Sequence, residues 1–249
     1  GMGDIHLDTA IEKLKARFGV TVTVEDAKVP YKETIRGSAK AQGRHKRQTG
    51  GKGQFGDCWL ELSPQPRGEG FLFENKVVGG AIPKNFIPAI EKGVRETMEK
   101  GFLAGYSVVD VKVTVYDGSY HDVDSSEMAF KTAGSIGFKA AAANANPVIL
   151  EPVLELALDI PDDCVGDVVG DLNTRRGRLL GMDPVAPGKT RVNAHVPMAT
   201  MMRYALDLRS ITKGRGRFRQ NVSHYDELPH VESQALITAY QKHKAEEED

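Results

Sequence analysis

The sequence predicts an α+β protein of two domains. Strand and helix alternate through residues 28–149, the order strand, helix, strand, strand, helix, strand follows over 150–230, and a proline-bearing stretch at 146–152 separates them. The first unit reads as a β-α-β sandwich. The second has the split β-α-β order of a ferredoxin-like domain.

Ahead of both units, Ile11, Leu14 and Phe18 stand at helical spacing over residues 8–18. Gly19 closes that helix, and Val20, Val22 and Val24 then alternate as a strand. One helix and one strand cannot bury their own apolar faces, so residues 1–27 are expected to be the remnant of another domain. Gly1-Met2-Gly3 runs straight into the helical pattern, which fits that expectation.

In the first unit an extended stretch at 29–35 leads into a polar, basic, Gly-rich segment, and a strand follows at 58–62. Pro64, Pro66 and Gly68 mark a turn. Ile87, Ile90, Val94 and Met98 define an amphipathic helix over 84–100, and residues 108–115 alternate as a half-buried strand. Asp117 and Gly118 turn the chain. Asp124 with Glu127 then resembles a capping box for a helix reaching about Ala143.

In the second unit the pattern gives strands at 153–160, around Leu179, at 191–196 and at 217–223, with helices at 165–176 and about 200–210. A final helix over 231–244 ends in the acidic tail 246–249.

Composition sets bounds. With 249 residues, 40% hydrophobic and 27% charged, the chain has the make-up of a soluble globular protein. Cys58 and Cys164 have no metal-ligand spacing and read as free thiols of a reducing cytoplasm. No apolar run approaches the ~20 residues of a spanning helix, so no membrane partner is expected.

Two glycine motifs fail on context. Gly51, Gly53 and Gly56 match a dinucleotide fingerprint, but they follow a basic run and lead into a strand where a helix is required. Gly188-Lys189-Thr190 ends like a phosphate loop, yet Asp183 stands where its first glycine belongs and a strand follows. Pro187 to Lys189 is then a plain turn. The seven histidines are scattered without metal spacing, and Asp162 and Asp163 after Pro161 read as helix-capping residues. No catalytic site, nucleotide site or metal site is expected on this chain.

The formal net charge of -1 hides local bias. Arg36, Lys40, Arg44, Lys46, Arg47 and Lys52 lie in a stretch with no Asp or Glu, and glycines such as Gly50 and Gly51 let backbone approach a phosphate or base. That composition fits salt-dependent RNA or DNA binding, and equally a free basic loop with no fixed partner. A second basic zone, including Arg175, Arg176, Arg178, Arg191, Arg215 and Arg217, is opposed within its span only by Asp183 and Asp207. Its strands lack stacking aromatics apart from Phe218, which favours recognition of RNA backbone or shape over base readout. The loop of Asp117, Gly118, Ser119, Tyr120, His121 and Asp122 is either a polar tip offering an imidazole and a ring, or an ordinary capped turn.

Five segments share one resemblance. They are Arg47-Gln48-Thr49-Gly50-Gly51-Lys52-Gly53-Gln54-Phe55-Gly56; Val78-Gly79-Gly80-Ala81-Ile82-Pro83; the run from Asp117 through Phe130; Gly170-Asp171-Leu172-Asn173-Thr174-Arg175-Arg176-Gly177; and Tyr204 through Ser210 with Gly214-Arg215-Gly216. In this order they resemble the bacterial elongation factor G family, from the first residue to about Tyr240. The resemblance implies that 1–27 is the end of a ferredoxin-like third domain, 28–149 the fourth domain with a left-handed crossover, 150–230 the ferredoxin-like fifth domain, and 231–249 a C-terminal helix and tail.

The resemblance also implies a role. The fourth domain would reach the decoding region through two tip loops, Gln48, Thr49, Gly50, Gly51 and Lys52 in one and Gly118, Ser119, Tyr120, His121 and Asp122 in the other. Arg175 and Arg176 would touch large-subunit RNA. The partners would be the ribosome, with its RNA and proteins, tRNA and mRNA, and the protein would act as a cytoplasmic monomer. GTP and Mg2+ would belong to a GTPase domain upstream, with no cofactor on this chain. Two stretches depart from the family pattern, Gly37 to Arg44 and the Ala/Asn run from Ala140 to Asn146. They leave room for a specialised paralogue, including a ribosome-recycling one. A ribosomal protection protein and a stand-alone module for structured RNA stay open as well.

Overall fold

The computed structural model describes residues 4–23, 27–48 and 53–248. In chain order the elements are α1 (Asp4–Phe18), β1 (Lys32–Ile35), β2 (Ala39–Arg47), β3 (Gln54–Pro64), β4 (Phe71–Asn75), α2 (Ile87–Lys100), β5 (Val111–Ser119), α3 (Glu127–Asn144), β6 (Pro147–Pro161), α4 (Val165–Thr174), β7 (Arg178–Ala186), β8 (Lys189–Pro197), α5 (Tyr204–Ile211), β9 (Arg217–Glu227) and α6 (His230–Glu248). They fall into two compact units, Pro30–Glu151 with Tyr225–Asp249, and Gly1–Val29 with Pro152–His224.

The first unit is built on a four-stranded sheet in the order β2-β3-β5-β4. The pairs β2/β3 and β3/β5 are antiparallel, while β4 and β5 are parallel neighbours joined through α2. Both α2 and α3 lie on one face. Strand residues Cys58, Leu60, Leu62, Val111, Val113 and Val115 meet Ile90, Val94, Phe130 and Phe138 from the helices in one buried cluster. Period-2 burial in the strands and period-3.6 burial in the helices produce that core from the sequence pattern.

The segment that reads as a basic Gly-rich stretch is in fact a regular strand. In β2 the small residues Ala39, Ala41 and Gly43 face the helices, and Lys40, Gln42, Arg44 and Lys46 face away. Gly43 is dictated by α3: a Cβ there would collide with the Ala133 carbonyl oxygen and lie 2.5 Å from Gly137 N. Gly56 meets α3 the same way, since a Cβ there would lie 2.8 Å from Phe130 N. Close helix-on-sheet packing therefore accounts for a glycine of the failed fingerprint.

Strand β1 pairs with the first residues of β6, Lys32 opposite Leu150 through Ile35 opposite Pro147. From it the fully buried Glu33 reaches the 102–106 segment. Its carboxylate accepts from the backbone amides of Phe102 (2.8 Å), Leu103 (3.0 Å), Ala104 (2.7 Å) and Tyr106 (3.0 Å). Nearby, Leu236, Ile237 and Tyr240 of α6 pack with Ala104, Ile149 and Leu228, so α6 closes this end of the unit.

In the second unit β6 pairs antiparallel with β8 from Val153 opposite Pro197, β8 pairs antiparallel with β7, and β9 lies on the other side of β6. The order β9-β6-β8-β7 is that of a ferredoxin-like sheet. Helices α4 and α5 cover it through Val168, Leu172, Tyr204 and Leu208 against Leu154, Leu156, Leu158, Val192, Ala194 and Val196.

Several expectations need correction. Residues 19–23 form no strand, and Val24 lies outside the described residues. Gly19 does end α1, with φ +66° and its amide on the Lys15 carbonyl at 3.0 Å. Along α1, Leu7, Leu14 and Phe18 are exposed. Strand β4 has no counterpart in the sequence reading, because five residues between Gly70 and Lys76 carry too little pattern to announce it. The cap of α3 is Ser126, whose Oγ accepts from Ala129 N at 3.2 Å, and not Asp124. The stretch 146–152 belongs to a continuous strand, with Pro147 and Pro152 both in β6, and the division between the two units falls within it, between Glu151 and Pro152. Three alanines of the 140–146 run serve the core, Ala141, Ala142 and Ala145 being fully buried. Finally, the acidic tail continues α6. Among the described residues no helix is long and apolar enough to cross a membrane.

Candidate nucleic-acid interface

At one end of the β2-β3-β5-β4 sheet the β2–β3 connection and the segment after β5 come together. Register fixes this. Arg47 pairs with Gln54 at the last rung of β2/β3, and Ser119 and Gly118 at the end of β5 pair with Asp57 and Cys58. Strand β5 thus continues through Asp117, Gly118 and Ser119, and the turn begins at Tyr120 instead of Asp117. Gly118 is glycine for proximity: a Cβ would collide with the Asp57 carbonyl oxygen and sit 2.5 Å from Ile82 Cδ1.

Asp124 joins the two segments. Its carboxylate accepts from Gly53 N at 3.0 Å, and its carbonyl accepts from Phe55 N at 2.9 Å. A neighbouring bridge pairs Phe55 with Ser125. The loop also folds on itself, His121 N donating to Ser125 Oγ at 2.9 Å and Ser125 N to the His121 carbonyl at 3.0 Å. The His121 imidazole then rests edge-on against the buried Phe55 ring, with centroids 4.5 Å apart at 80°. Contacts of this type contribute about 0.5–1.5 kcal/mol beyond burial.

Beneath the loops, Asp57 is buried and accepts from Gln42 Nε2 at 2.8 Å and from Ser119 Oγ at 2.6 Å. Burial, helped by the Asp57 charge, pushes the Cys58 thiol up to about 12. Such a thiol is an inert core group.

Of the tip residues expected from the sequence, Gln48, Ser119, Tyr120, His121 and Asp122 are exposed, and Gly118 is half-buried. Thr49, Gly50, Gly51 and Lys52 lie outside the described residues. Arg44, Lys46 and Arg47 are exposed on the strand leading to the tip, and none has a carboxylate partner among the described residues. The sequence reading missed Asp124, Phe55, Asp57 and Gln42. Asp124 was hidden because an aspartate shortly before a helix reads as a cap.

The second basic zone differs from its expected form. Arg175 is committed to its own domain: Nε donates to Asp171 at 2.8 Å, Nη2 to Asp207 at 2.7 Å and Nη1 to the Thr200 carbonyl at 2.6 Å, with the Tyr204 ring centroid 5.0 Å away. Its donors are spent within the fold, so it is not the free cation that the local count suggests. Arg176 is exposed and takes φ +62° directly after α4. Arg191 forms a two-pronged pair with Asp159, at 2.6 and 2.9 Å, which holds that carboxyl below its ordinary range. Arg215 does the same to Asp163 at 2.8 Å. Asp163 is therefore an ion-pair partner, and Asp162 accepts from Thr190 Oγ1 at 2.7 Å; neither makes the side-chain cap expected of it, although both stand in the first helical turn, where acidic residues suit the helix dipole. Partners from outside the zone neutralise much of what the local count reads as free charge. Among the described residues no group of three or more His, Cys, Asp or Glu is placed to hold a metal ion.

Comparison with known proteins agrees with this architecture. Residues 27–146 match the family model for elongation factor G, domain IV, and residues 148–236 the model for the elongation factor G C-terminus. Elongation factor G of Aquifex pyrophilus is 51% identical over 237 residues, covering 95% of this chain and 34% of that protein. A crystal structure of a protein from Thermus thermophilus is similar with a TM-score of 0.87 and 44% identity, over 97% of this chain and 36% of the other. The chain spans about a third of the length of these relatives. With two consecutive models of one family matched in order, and a relative 51% identical along 95% of this chain, the chain belongs to the elongation factor G family.

Proposed function

We propose that this chain is the ribosome-binding part of a translation factor that promotes movement of tRNA and mRNA during elongation. The Asp124 clasp is the observation that carries the reading. It ties Gly53 to the segment after β5, and Gln48, Tyr120, His121 and Asp122 are exposed at the same end of the sheet as Arg44, Lys46 and Arg47, which have no carboxylate partner among the described residues. Small, backbone-dense loops suit entry into a crowded RNA groove, because the shallow minor groove of an A-form duplex is read by short polar groups. Arg44, Lys46 and Arg47 behind the tip supply attraction to phosphate without sequence preference.

GTP hydrolysis with Mg2+ is assigned, on family membership, to a part of the protein outside this chain. The present chain then transmits the motion and blocks the return of the tRNA–mRNA duplex. It does so as a monomer on the cytoplasmic ribosome, with ribosomal RNA and proteins as its immediate partners. Arg175 and Arg176 are the residues that family membership offers for contact with large-subunit RNA.

Single-round translocation by the full-length factor tests the reading. Replacing Gln48 and His121 together by alanine is expected to slow it about tenfold, the effect of losing about 1.4 kcal/mol of contact in the moving state, with GTP hydrolysis unchanged. Unchanged translocation in that double variant would remove the tip from the mechanism.

A further inference from the structure

The sheet of the first unit has two faces, and only one is covered by α2 and α3. Because Cys58, Leu60 and Leu62 point at the helices, Asp57, Trp59 and Glu61 point the other way. The register sets them beside Arg44, Gln42 and Lys40 of β2, respectively. Tyr116 of β5 joins them: its ring lies 6.5 Å from that of Trp59 at 46°, and Lys40 Nζ stands 5.2 Å from its centroid.

This open face has a definite chemistry. Lys40, Gln42, Arg44 and Lys46 are exposed along the edge strand, and the Trp59 and Tyr116 rings are half-buried beside them. Lys40 meets Glu61 loosely at 3.6 Å, while Arg44 and Lys46 have no acidic partner among the described residues. Asp57, opposite Arg44 in the register, is buried with its oxygens taken by Gln42 and Ser119, and it forms no ion pair with the row among the described residues. At about 3.4 Å per residue, the cations form a line of roughly 20 Å running up to the tip. A row of cations along one edge with aromatic rings inboard is the arrangement that holds a single strand by its phosphates and stacked bases. In the ferredoxin-like sheet, by contrast, Phe218 packs against the core of its unit.

We propose that this face binds a single-stranded RNA segment, its phosphates along Lys40, Arg44 and Lys46 and its bases against Trp59 and Tyr116. The inference rests on the RNA reading of the tip for the class of polymer and adds a second surface and a substrate form. An acidic protein would satisfy the cations but leave the two rings without a purpose.

Trp59 is the only tryptophan of the chain, so its emission reports on this face directly. Titrating the 249-residue protein with a twelve-nucleotide oligouridylate is expected to quench Trp59. Log affinity should fall against log salt with a slope of about −2, the value for roughly three neutralised phosphates on a single strand. By anisotropy of the labelled oligonucleotide, Trp59→Leu should weaken binding about tenfold, as loss of one stacked base does, while Trp59→Phe retains most of the affinity. Arg44→Gln with Lys46→Gln should flatten the slope to about −0.7, which gives a readout independent of any packing change at Trp59. Polyglutamate should leave the emission unchanged. Absence of quenching, wild-type affinity in Trp59→Leu, an unchanged slope in the double variant, or equal quenching by polyglutamate would each overturn the proposal. The translocation assay reads the tip and this titration reads the sheet face, so either can fail alone.

Discussion

Replacing Glu33 by alanine is expected to destabilise the first unit by about 4 kcal/mol, the range seen when one side of a buried charged network is removed. The side chain is fully buried, and both carboxylate oxygens are used twice, by the amides of Phe102, Leu103, Ala104 and Tyr106. Alanine would leave those donors facing protein interior, with no water to replace the acceptor. Glutamine is expected to rescue little, because its amide nitrogen would point donors at donors. The 102–106 segment also forms part of the seat for α6, so its loosening should free that helix. Trp59 lies in the same unit and reports its unfolding selectively. With a urea slope of about 2 kcal/mol/M, the midpoint should fall by roughly 2 M. A shift below about 0.5 M would mean that the carboxylate is dispensable to the fold.

Gly43→Ala is expected to cost about 3 kcal/mol, at the upper end of ordinary overpacking, because nothing flexible stands in the way. The added methyl would meet the Ala133 carbonyl oxygen, Gly137 N at 2.5 Å and Gly137 Cα at 2.8 Å, all of them backbone of α3. Only a shift of helix against sheet relieves that contact, and the shift would propagate to the core formed by Leu60, Phe130 and Phe138. The same urea experiment measures it. A loss under about 1 kcal/mol would show that α3 can move away at little cost, contrary to close packing of protein interiors.

How much of this was legible in the sequence depended on how local the cause was. Helix α2 announced itself because Ile90, Val94 and Met98 are apolar at helical spacing and are the residues that become buried. The ferredoxin-like order was legible for the same reason, since Leu154, Leu156, Leu158 and Ile160 alternate cleanly. Strand β2 was not, because its inward face is made of alanine and glycine; the helix comes too close for larger side chains, and the apolar signal of a strand disappears. Gly118 misled in the opposite sense. Glycine after aspartate suggests a turn, yet here the missing side chain makes room for Ile82 and the Asp57 backbone. Glu33 gave no warning, since its partners lie about seventy residues along the chain.

At the candidate site the exposed members of the loops were legible as a polar cluster, but their union was not. Gly53 and Asp124 are 71 residues apart, and only folding shows that one amide finds that carboxylate. Arg175 shows the converse limit. A count of cations in a window cannot see Asp171 just before it, so a structural ion pair passed for a free binding charge.

Amide hydrogen exchange at Gly53 and Phe55 addresses the unity of the two loops most directly. Both amides are expected to be protected in the unmodified protein, and Asp124→Ala should speed exchange at Gly53 about tenfold or more, as loss of a charge-assisted hydrogen bond of about 1.5–3 kcal/mol implies. Free exchange at both amides in the unmodified protein would mean that the loops move independently and that no single tip exists.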